Sequence, residues 1–488
     1  MPNINEILLN DDFGQIISKL CVDVIENREP REYYNEYHGE RRRRKTSVGW
    51  REPKRLAVYS ETLKDEHGDP LRLEDKIVDV ARIVTNFPKR EVRTSVAFLF
   101  GGEMTVTATD ANEGFLEFKR VWERRLRMRS VLKTFARKVL SESKAALVFY
   151  PYASRGLDGK AVTELRVKIL SVPRNENTIS EFYPHFDDND DMDAFIHRFQ
   201  TVRDGMIRNS CVIWTADRVI SATDGAGGWE RKETPNLFGK IPVVYADVFQ
   251  PEWDEVAGIM DAREMRLSRM ADTNDYFSEP ILKTYGDSDL PSKETTGKDI
   301  NFPIKVDEVT GKEYHGDADY LTWAGSQPSV DKELEETRNE QYAGTSTPDL
   351  SFDNLKGIGN VSGVARKFML MDAMIKASDN MEVFGPVVQR CVSVVVAGIC
   401  NISNIKFKSQ LVNNLIDVEF GSILPDDLSE TLQNLSIANG GKPVNSQRTV
   451  TAQSPFTKDL EEEMRLLEEE ENASVRRNGL IGLTMGDE

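Results

Sequence analysis

A predicted helix over residues 252–278 constrains the fold more than any other segment of the chain. It lies between Pro251 and Pro280, and at about 1.5 Å per residue it forms a rod of roughly 40 Å. Its apolar side chains recur every three, four or seven residues and so form one narrow stripe, made of Trp253, Val256, Met260, Leu267, Met270 and Phe277. A lone helix cannot bury such a stripe, so the segment needs partners along its length.

The two segments after this helix have contrasting patterns. Residues 283–328 are interrupted by glycine and proline, which predicts a small β-containing excursion with short strands such as 299–306. A second helix is expected over residues 329–343. Because it is rich in glutamate and has few apolar positions, we expect it to face solvent or to line an aqueous space.

The C-terminal third is predicted to be mainly helical. A glycine-containing loop over residues 345–362 comes first, and Ser362 is a suitable N-cap for the long helix that follows it to about residue 400. Gly385 and Pro386 should kink or break that helix, because proline removes a backbone donor. Residues 424–488 contain two further helical patterns, the second of which is strongly acidic.

Residues 1–250 combine strand-like runs with one long basic helical stretch. This stretch, Phe115–Leu140, has apolar residues close to helical spacing and nine cationic residues: Lys119, Arg120, Arg124, Arg125, Arg127, Arg129, Lys133, Arg137 and Lys138. The strand-like runs lie at Ala145–Tyr150, Thr163–Leu170, Cys211–Thr215 and Ile241–Val248. Together with the helices further along the chain, they predict an α+β fold.

Composition excludes several classes of protein. A chain of 488 residues implies two to four structural units, and 39% hydrophobic residues suffice to build their cores. The net charge of −18 argues against a protein that coats nucleic acid, although an acidic wall lets DNA pass without sticking. Residues 383–399 are the most apolar segment, but polar residues and Pro386 interrupt them, so no membrane span is expected. We also find no signal-peptide pattern, which predicts a soluble protein made in the cytoplasm.

No motif predicts a catalytic, cofactor or metal site. The four cysteines show no metal-ligand spacing, and we expect them to be small buried thiols. A nucleotide-binding Gly-x4-Gly-Lys-Ser/Thr motif and a Gly-x-Ser-x-Gly nucleophile elbow are both absent from the sequence. The acidic run Asp187–Asp193 leaves one alternative open, a metal-dependent nuclease, against a solvated acidic turn. The Arg41–Lys45 run could contact nucleic acid, solvent or another subunit.

The order of these segments resembles the portal proteins of long-tailed double-stranded DNA phages. Four local motifs are similar to that family: Phe238–Val244, Thr347–Ser351, Gly359–Ala365 with Lys367, and Ser446-x2-Thr449 followed by Phe456-x2-Asp459. The resemblance covers roughly residues 20–472, and its strength comes from the order and spacing of the motifs.

The resemblance implies a ring-forming portal fold with named parts in chain order. These are an α/β wing (1–250), a first stem helix (251–282), a clip (283–328), a second stem helix (329–345), a tunnel loop (346–362), a long kinked helix returning to the wing (363–423), and a helical crown with an acidic tail (424–488). The apolar stripe of the first stem helix would then pack between neighbouring subunits.

The resemblance also implies a structural function without enzymatic activity. The chain would form a ring, expected to be a 12-mer, at one capsid vertex of the virion, assembled in the host cytoplasm. Double-stranded DNA would pass through it without sequence specificity, near the loop residues Asn354, Lys356, Gly357, Gly359 and Asn360. The clip, with Lys293, Lys298, Lys305 and Lys312, would dock the terminase large subunit and later the head–tail adaptor. The wing would contact the major capsid protein and scaffold. A different virion ring or baseplate protein is the structural alternative.

Overall fold

The computed structural model divides the chain into two compact units. One unit comprises Met1–Pro348 and Ile375–Gly421, and the other comprises Asp349–Met374 and Ser422–Glu488. The structure describes residues 4–22, 27–39, 51–155, 161–203, 205–225, 227–278, 281–285, 304–307, 309–314, 317–321, 327–351, 368–421, 428–440, 443–457 and 460–484. Helices and antiparallel strands both contribute substantially, which confirms the α+β class.

The N-terminal part of the first unit contains short helices, small strands and then longer helices. The first three helices are α1 (Ile4–Leu8), α2 (Phe13–Leu20) and α3 (Pro30–Tyr37). Four short strands follow: β1 (Lys54–Leu56), β2 (Tyr59–Lys64), β3 (Pro70–Arg72) and β4 (Lys76–Val78). After them come α4 (Phe87–Phe100), β5 (Met104–Ala108), α5 (Glu113–Lys119), a π-helical turn (Arg120–Arg125) and α6 (Met128–Glu142).

Two antiparallel sheets form the middle of the first unit. Their strands are β6 (Lys144–Arg155), β7 (Ala161–Leu170), β8 (Ser180–Phe186), β9 (Met192–Arg203), β10 (Met206–Thr215), β11 (Arg218–Gly225), β12 (Gly228–Pro235) and β13 (Val243–Asp247). One sheet has the order β12-β11-β10-β9-β8 and the other has the order β13-β6-β7. Three of the four predicted strand-like runs lie within β6, β7 and β10, and the fourth, Ile241–Val248, extends beyond β13 at both ends.

The sheets and helices stack in layers because successive side chains of a strand point to opposite faces. Ala146 and Val148 of β6 face the five-stranded sheet, where they pack with Phe195 and Trp214. Leu147, with its neighbours on the opposite face of β6, belongs to the main helical core. The outer face of the five-stranded sheet is covered by α1 and α2. The apolar run in β6 is therefore continuous because both faces of the strand are buried.

The basic stretch predicted as one helix over 115–140 is interrupted in the structure. Helix α5 passes into the π-helical turn, and Arg127 then adopts a left-handed backbone conformation with φ of 52° before α6 begins. A π turn inserts an extra residue and so rotates the apolar face of the helix. As a result Trp122, Leu126 and Met128 are all buried in the same core despite their irregular spacing.

Two helices flank a small β module, as the sequence predicts. A 3-10 turn (Glu252–Val256) leads into α7 (Ala257–Ser278), and after the module α8 spans Gln327–Gly344. The module contains β14 (Ile281–Tyr285), β15 (Lys305–Val306), β16 (Glu313–Tyr314) and β17 (Asp317–Leu321), with β14 paired to β17 and β15 paired to β16. Only the end of the strand expected over 299–306 lies within the described residues.

The long helix α9, Met371–Gly398, runs through Pro386 without a break and continues as a π-helical turn, Ile399–Ser403. Its predicted N-cap, Ser362, lies outside the described residues. Met371–Ser403 is long and apolar enough to span a membrane by length and composition. However, Phe384, Cys391 and Val395 are among its residues packed in the main core, which is typical of the core helix of a globular protein.

The remaining elements close the first unit and build the second. A 3-10 turn (Ile405–Phe407), α10 (Lys408–Leu411) and β18 (Ile416–Phe420) complete the first unit, and β18 pairs with β5. The second unit contains α11 (Leu428–Asn439), α12 (Gln447–Gln453) and α13 (Leu460–Thr484). The sequence predicted two helices here. It missed α12, which is short and polar. The Ser446 side chain caps this helix by accepting a hydrogen bond from the Thr449 amide.

Candidate functional site

The base of the helix pair α7–α8 is where the N-terminal segment, α4 and α9 come together. Within the 3-10 turn before α7, Trp253 and Val256 are buried in the main core, while Glu252 and Asp254 make polar contacts in other directions. Asp254 accepts hydrogen bonds from Arg28 at 2.6 Å and from Asn27 at 2.8 Å. The turn therefore fixes the start of α7 to the core and to the N-terminal segment at once.

A buried cluster of charges, which we call the Lys376 cluster, ties this turn to three other elements. The Lys376 ammonium lies 3.1 Å from Glu91 on α4 and 2.8 Å from Glu252. It also donates to the Thr345 carbonyl at 2.7 Å and to the Thr347 hydroxyl at 3.1 Å. The Glu91 side chain is fully buried and that of Lys376 is 12% exposed. Lys376 thus holds the residues just after α8 beside the first turns of α9.

The two carboxyl groups of the Lys376 cluster differ in their surroundings. Glu252 also accepts hydrogen bonds from Ser95 at 2.8 Å and Asn380 at 2.7 Å. Burial raises the pKa of Glu91 to about 8, with Lys376 opposing that rise and the nearby Glu252 adding to it. Burial thus favours the protonated form of Glu91, which leaves Glu252, 2.8 Å away, as the main partner of the Lys376 charge.

The polar residues of α7 form a second set of contacts along the middle of the helix. Glu264 accepts hydrogen bonds at 2.8 Å from both the amide and the hydroxyl of Thr85. One turn further on, the Ser268 hydroxyl accepts from the Ile83 amide at 2.9 Å. Asp272 continues the row by accepting from the Ala81 amide at 2.8 Å. These four-residue steps lie on one helix face, so residues 81–85 run alongside α7 as an extended segment held by side chains.

Close packing fixes α8 against the start of α7. A Cβ atom at Gly344 would lie 2.8 Å from Val256 Cγ1, closer than such atoms approach in real structures, so this position needs glycine. Tyr342 packs edge-on against Phe87 with ring centroids 5.4 Å apart. Further along the pair, Arg266 of α7 reaches Glu333 of α8 at 2.7 Å.

The predicted apolar stripe divides into two parts. In the proximal half of this helical segment, residues 252–264, Trp253, Val256 and Met260 are buried in the core of their own subunit. In the distal half, residues 265–278, Leu267 and Met270 are only partly buried. The side chain of Phe277 lies outside the described residues. Packing of the stripe between subunits thus stays a prediction that concerns mainly the distal half.

The other predicted site residues are described only in part. The loop residues Asn354, Lys356, Gly357, Gly359 and Asn360 lie outside the described residues, as do Lys293 and Lys298 of the β module. In the described part of that module, Lys305 pairs in strand register with Tyr314, and Lys312 is exposed. The Arg41–Lys45 run also lies outside the described residues.

The acidic run Asp187–Asp193 forms the turn between β8 and β9. Asp187 accepts backbone hydrogen bonds from Asn189 at 2.8 Å and Asp191 at 3.0 Å, and these bonds lower its pKa. Asp193 lies 2.6 Å from His185. Among the described residues, no group of three or more His, Cys, Asp and Glu could hold a metal ion. The arrangement is that of a hairpin turn stabilised by its own side chains.

Sequence reasoning did not identify the Lys376 cluster. Lys376 and Glu91 are 285 positions apart, and neither lies in a charged motif. Glu264 lies outside the predicted apolar stripe, yet its side chain is fully buried against Thr85. The sequence indicated only that the predicted apolar stripe of the 252–278 helix is too narrow to explain how this helix is held in place.

Comparison with known proteins identifies the family. The model of the family described as phage portal protein, SPP1 Gp6-like, matches residues 31–477, so the chain belongs to this family of phage portal proteins. It is therefore a structural component of a phage virion. Among solved structures, a chain of the "Neck of empty GTA particle computed with C6 symmetry" is similar at 10% identity and a TM-score of 0.36, covering 74% of this chain and 87% of that chain. None of the curated proteins matches the sequence.

Proposed function

We propose that this chain forms the ring at one capsid vertex through which double-stranded DNA is packaged and ejected. The observation behind the proposal is the match to the phage portal family over residues 31–477. The helix pair flanking a small β module agrees with it, because a channel needs a wall and an outer docking surface. The ring is expected to contain twelve subunits, and its heterologous contacts close only if the rotation per subunit fits.

Each segment is proposed to serve one part of the ring. Residues 1–250 would form the wing, 251–282 and 329–345 the stem helices, and 283–328 the clip between them. Residues 346–362 would form the tunnel loop, 363–423 the long helix and the return to the wing, and 424–488 the crown with its acidic tail.

The partners follow from this division. The clip would dock the terminase large subunit during packaging and the head–tail adaptor afterwards, and the wing would contact the major capsid protein and scaffold. The net charge of −18 per subunit favours a conduit that repels phosphate, so DNA can slide without sequence-specific contacts.

The Lys376 cluster supports this proposal because it would restrain the tunnel loop. It fixes Thr345 and Thr347, at the start of the loop, beside α9, which follows the loop. A loop whose flanking residues are fixed explores less space, so its tip, with Lys356, would stay near the passing phosphates. Lys356→Glu should then reduce the DNA retained per head, whereas unchanged packaging and retention would exclude the loop–DNA contact.

The direct test is genetic. In a phage that encodes this chain, a nonsense codon in its gene should yield heads without DNA and without tails. Supplying the wild-type chain in trans should restore filled, infectious particles. Filled heads made in the complete absence of the chain would contradict the proposal.

A further inference from the structure

The segment between Lys119 and Arg137 has an exceptional charge for this acidic protein. It contains eight arginines and lysines and a single carboxylate, Glu123, in a chain whose net charge is −18. We call these eight cationic side chains the basic strip. They lie at the end of α5, in the π-helical turn, at Arg127 just before α6, and in α6 as far as Arg137.

Within the described residues, neutralisation of the basic strip is confined to its start. Lys119 lies 3.9 Å from Glu123, and Arg120 lies 2.7 Å from Glu117. Arg124, Arg125 and Arg127 are exposed and have no hydrogen bond or ion pair to any described residue. Three adjacent guanidinium groups are therefore available to an anionic partner.

The backbone holds these three arginines in place. Trp122 and Leu126, which alternate with them, are buried in the main core, and so is Met128 after them. The left-handed conformation of Arg127 turns the chain at this point, so the exposed side chains project from a fixed corner and not from a mobile loop. A rigid display lowers the entropy lost when a partner binds.

Helix α6 extends the positive surface. Arg129, Lys133 and Arg137 follow one another at four-residue steps, which place them on one helix face roughly 6 Å apart. Partial burial lowers the pKa of Lys133, and the neighbouring positive charges of Arg129 and Arg137 lower it further. These like charges repel one another, and an anion that binds there would relieve the repulsion.

We propose that the basic strip binds the phosphate backbone of double-stranded DNA, as a contact separate from the channel loop. Each strand of DNA carries one phosphate per 3.4 Å or so of duplex axis, so cationic side chains roughly 6 Å apart can each meet a different phosphate. Guanidinium groups suit phosphate because their planar fork can donate two hydrogen bonds to it. DNA outside the channel, next to the ring, is the ligand of this chemistry that a portal encounters. The proposal extends the role of a conduit to a second, sequence-independent DNA contact.

Binding of a fluorescent 40-base-pair duplex of random sequence to the purified full-length protein tests this proposal. The variant Arg124→Glu/Arg125→Glu/Arg127→Glu should bind at least tenfold more weakly in low salt, since three phosphate contacts are lost. The slope of log affinity against log salt should fall by about 2–3. The triple Arg→Gln variant should show the same change to a lesser degree, and circular dichroism checks that both variants fold.

The matched control is Arg55→Glu/Lys64→Glu/Lys76→Glu, which makes the same charge change at exposed residues of β1, β2 and β4. Its affinity should stay within about threefold of wild type, because non-specific attraction falls off beyond a Debye length. An equal loss in both variants would overturn the proposal. The proposal would also be overturned if the triple Arg→Glu variant kept its DNA affinity but no longer formed rings. That result would indicate that the basic strip binds an acidic segment of a second copy of this chain. Ring formation is measured in the same samples, so failure of this contact is distinguishable from failure of the conduit.

Discussion

The proximal and distal halves of the 252–278 helical segment share one sequence pattern but have different surroundings. In the proximal half, Trp253 and Met260 are fully buried, and the Lys376 cluster and Thr85 satisfy its carboxylates. In the distal half Leu267 and Met270 are partly exposed, and Tyr276 is 64% exposed. A regular apolar stripe therefore does not tell which part of a helix is buried within its own subunit and which part is left for a neighbour.

A large loss of stability is expected from Lys376→Met. This change keeps most of the side-chain volume but leaves Glu252 without its cation and Thr345 without its donor. The free energy of unfolding should fall by about 3 kcal/mol, as for other buried pairs that lose one partner. Urea denaturation measures it, with Lys332→Met on the exposed face of α8 as the control. A loss below about 1 kcal/mol would mean that the cluster does not hold the base together.

The same substitution at two methionines compares the halves directly. Met260→Ala removes a fully buried side chain and should cost about 2–5 kcal/mol. Met270→Ala should cost less than about 1 kcal/mol in the isolated subunit, because its side chain is already partly solvated. In the assembled protein, Met270→Ala should instead lower the temperature at which subunits separate. Equal losses of unfolding free energy for both variants in the isolated subunit would show that the two halves are buried alike.

Gly344→Ala tests the tight contact between α8 and the turn before α7. The added methyl group would meet Val256 Cγ1, and we expect a loss of about 1–3 kcal/mol from overpacking. Combining it with Val256→Ala should recover part of that loss, giving a coupling free energy of at least about 0.5 kcal/mol. Thermal unfolding of the two single variants and the double variant measures the coupling. Strict additivity would show that the two residues do not touch.

A further prediction is a pH dependence of stability that originates in Glu91. Its carboxyl titrates near 4.5 when unfolded, whereas burial raises its pKa to about 8 in the folded protein. Between these values the unfolded chain releases a proton that the folded chain keeps. The free energy of unfolding should therefore fall as the pH rises through this window, by at most about 1.4 kcal/mol per pH unit.

The variant Glu91→Gln, which cannot ionise, isolates this contribution. It should flatten the decline of stability between about pH 5 and pH 8, while Glu74→Gln at an exposed position should leave the slope of wild type unchanged. Unfolding curves at four pH values suffice for the comparison. An unchanged slope in Glu91→Gln would indicate that Glu91 is ionised in the folded state.

The sequence predicted the order of elements better than their connections. The 252–278 helical segment, the polar α8 and the strands of the two sheets follow from local periodicity and turn residues, which are properties of neighbouring positions. The break at Arg127 was missed because a π turn leaves no clear periodic signal. The Lys376 cluster was missed because its charges come from distant parts of the chain. Burial of Glu264 depends on the path of residues 81–85, which no local pattern encodes.

Negative-stain electron microscopy of the purified full-length protein, together with its mass in solution, tests the proposed portal ring most directly. We expect a ring with a central hole and roughly a dozen subunits, in which the distal halves of neighbouring helical segments pack together. A discrete small oligomer without a hole would contradict the portal assembly, even though the chain belongs to the portal family.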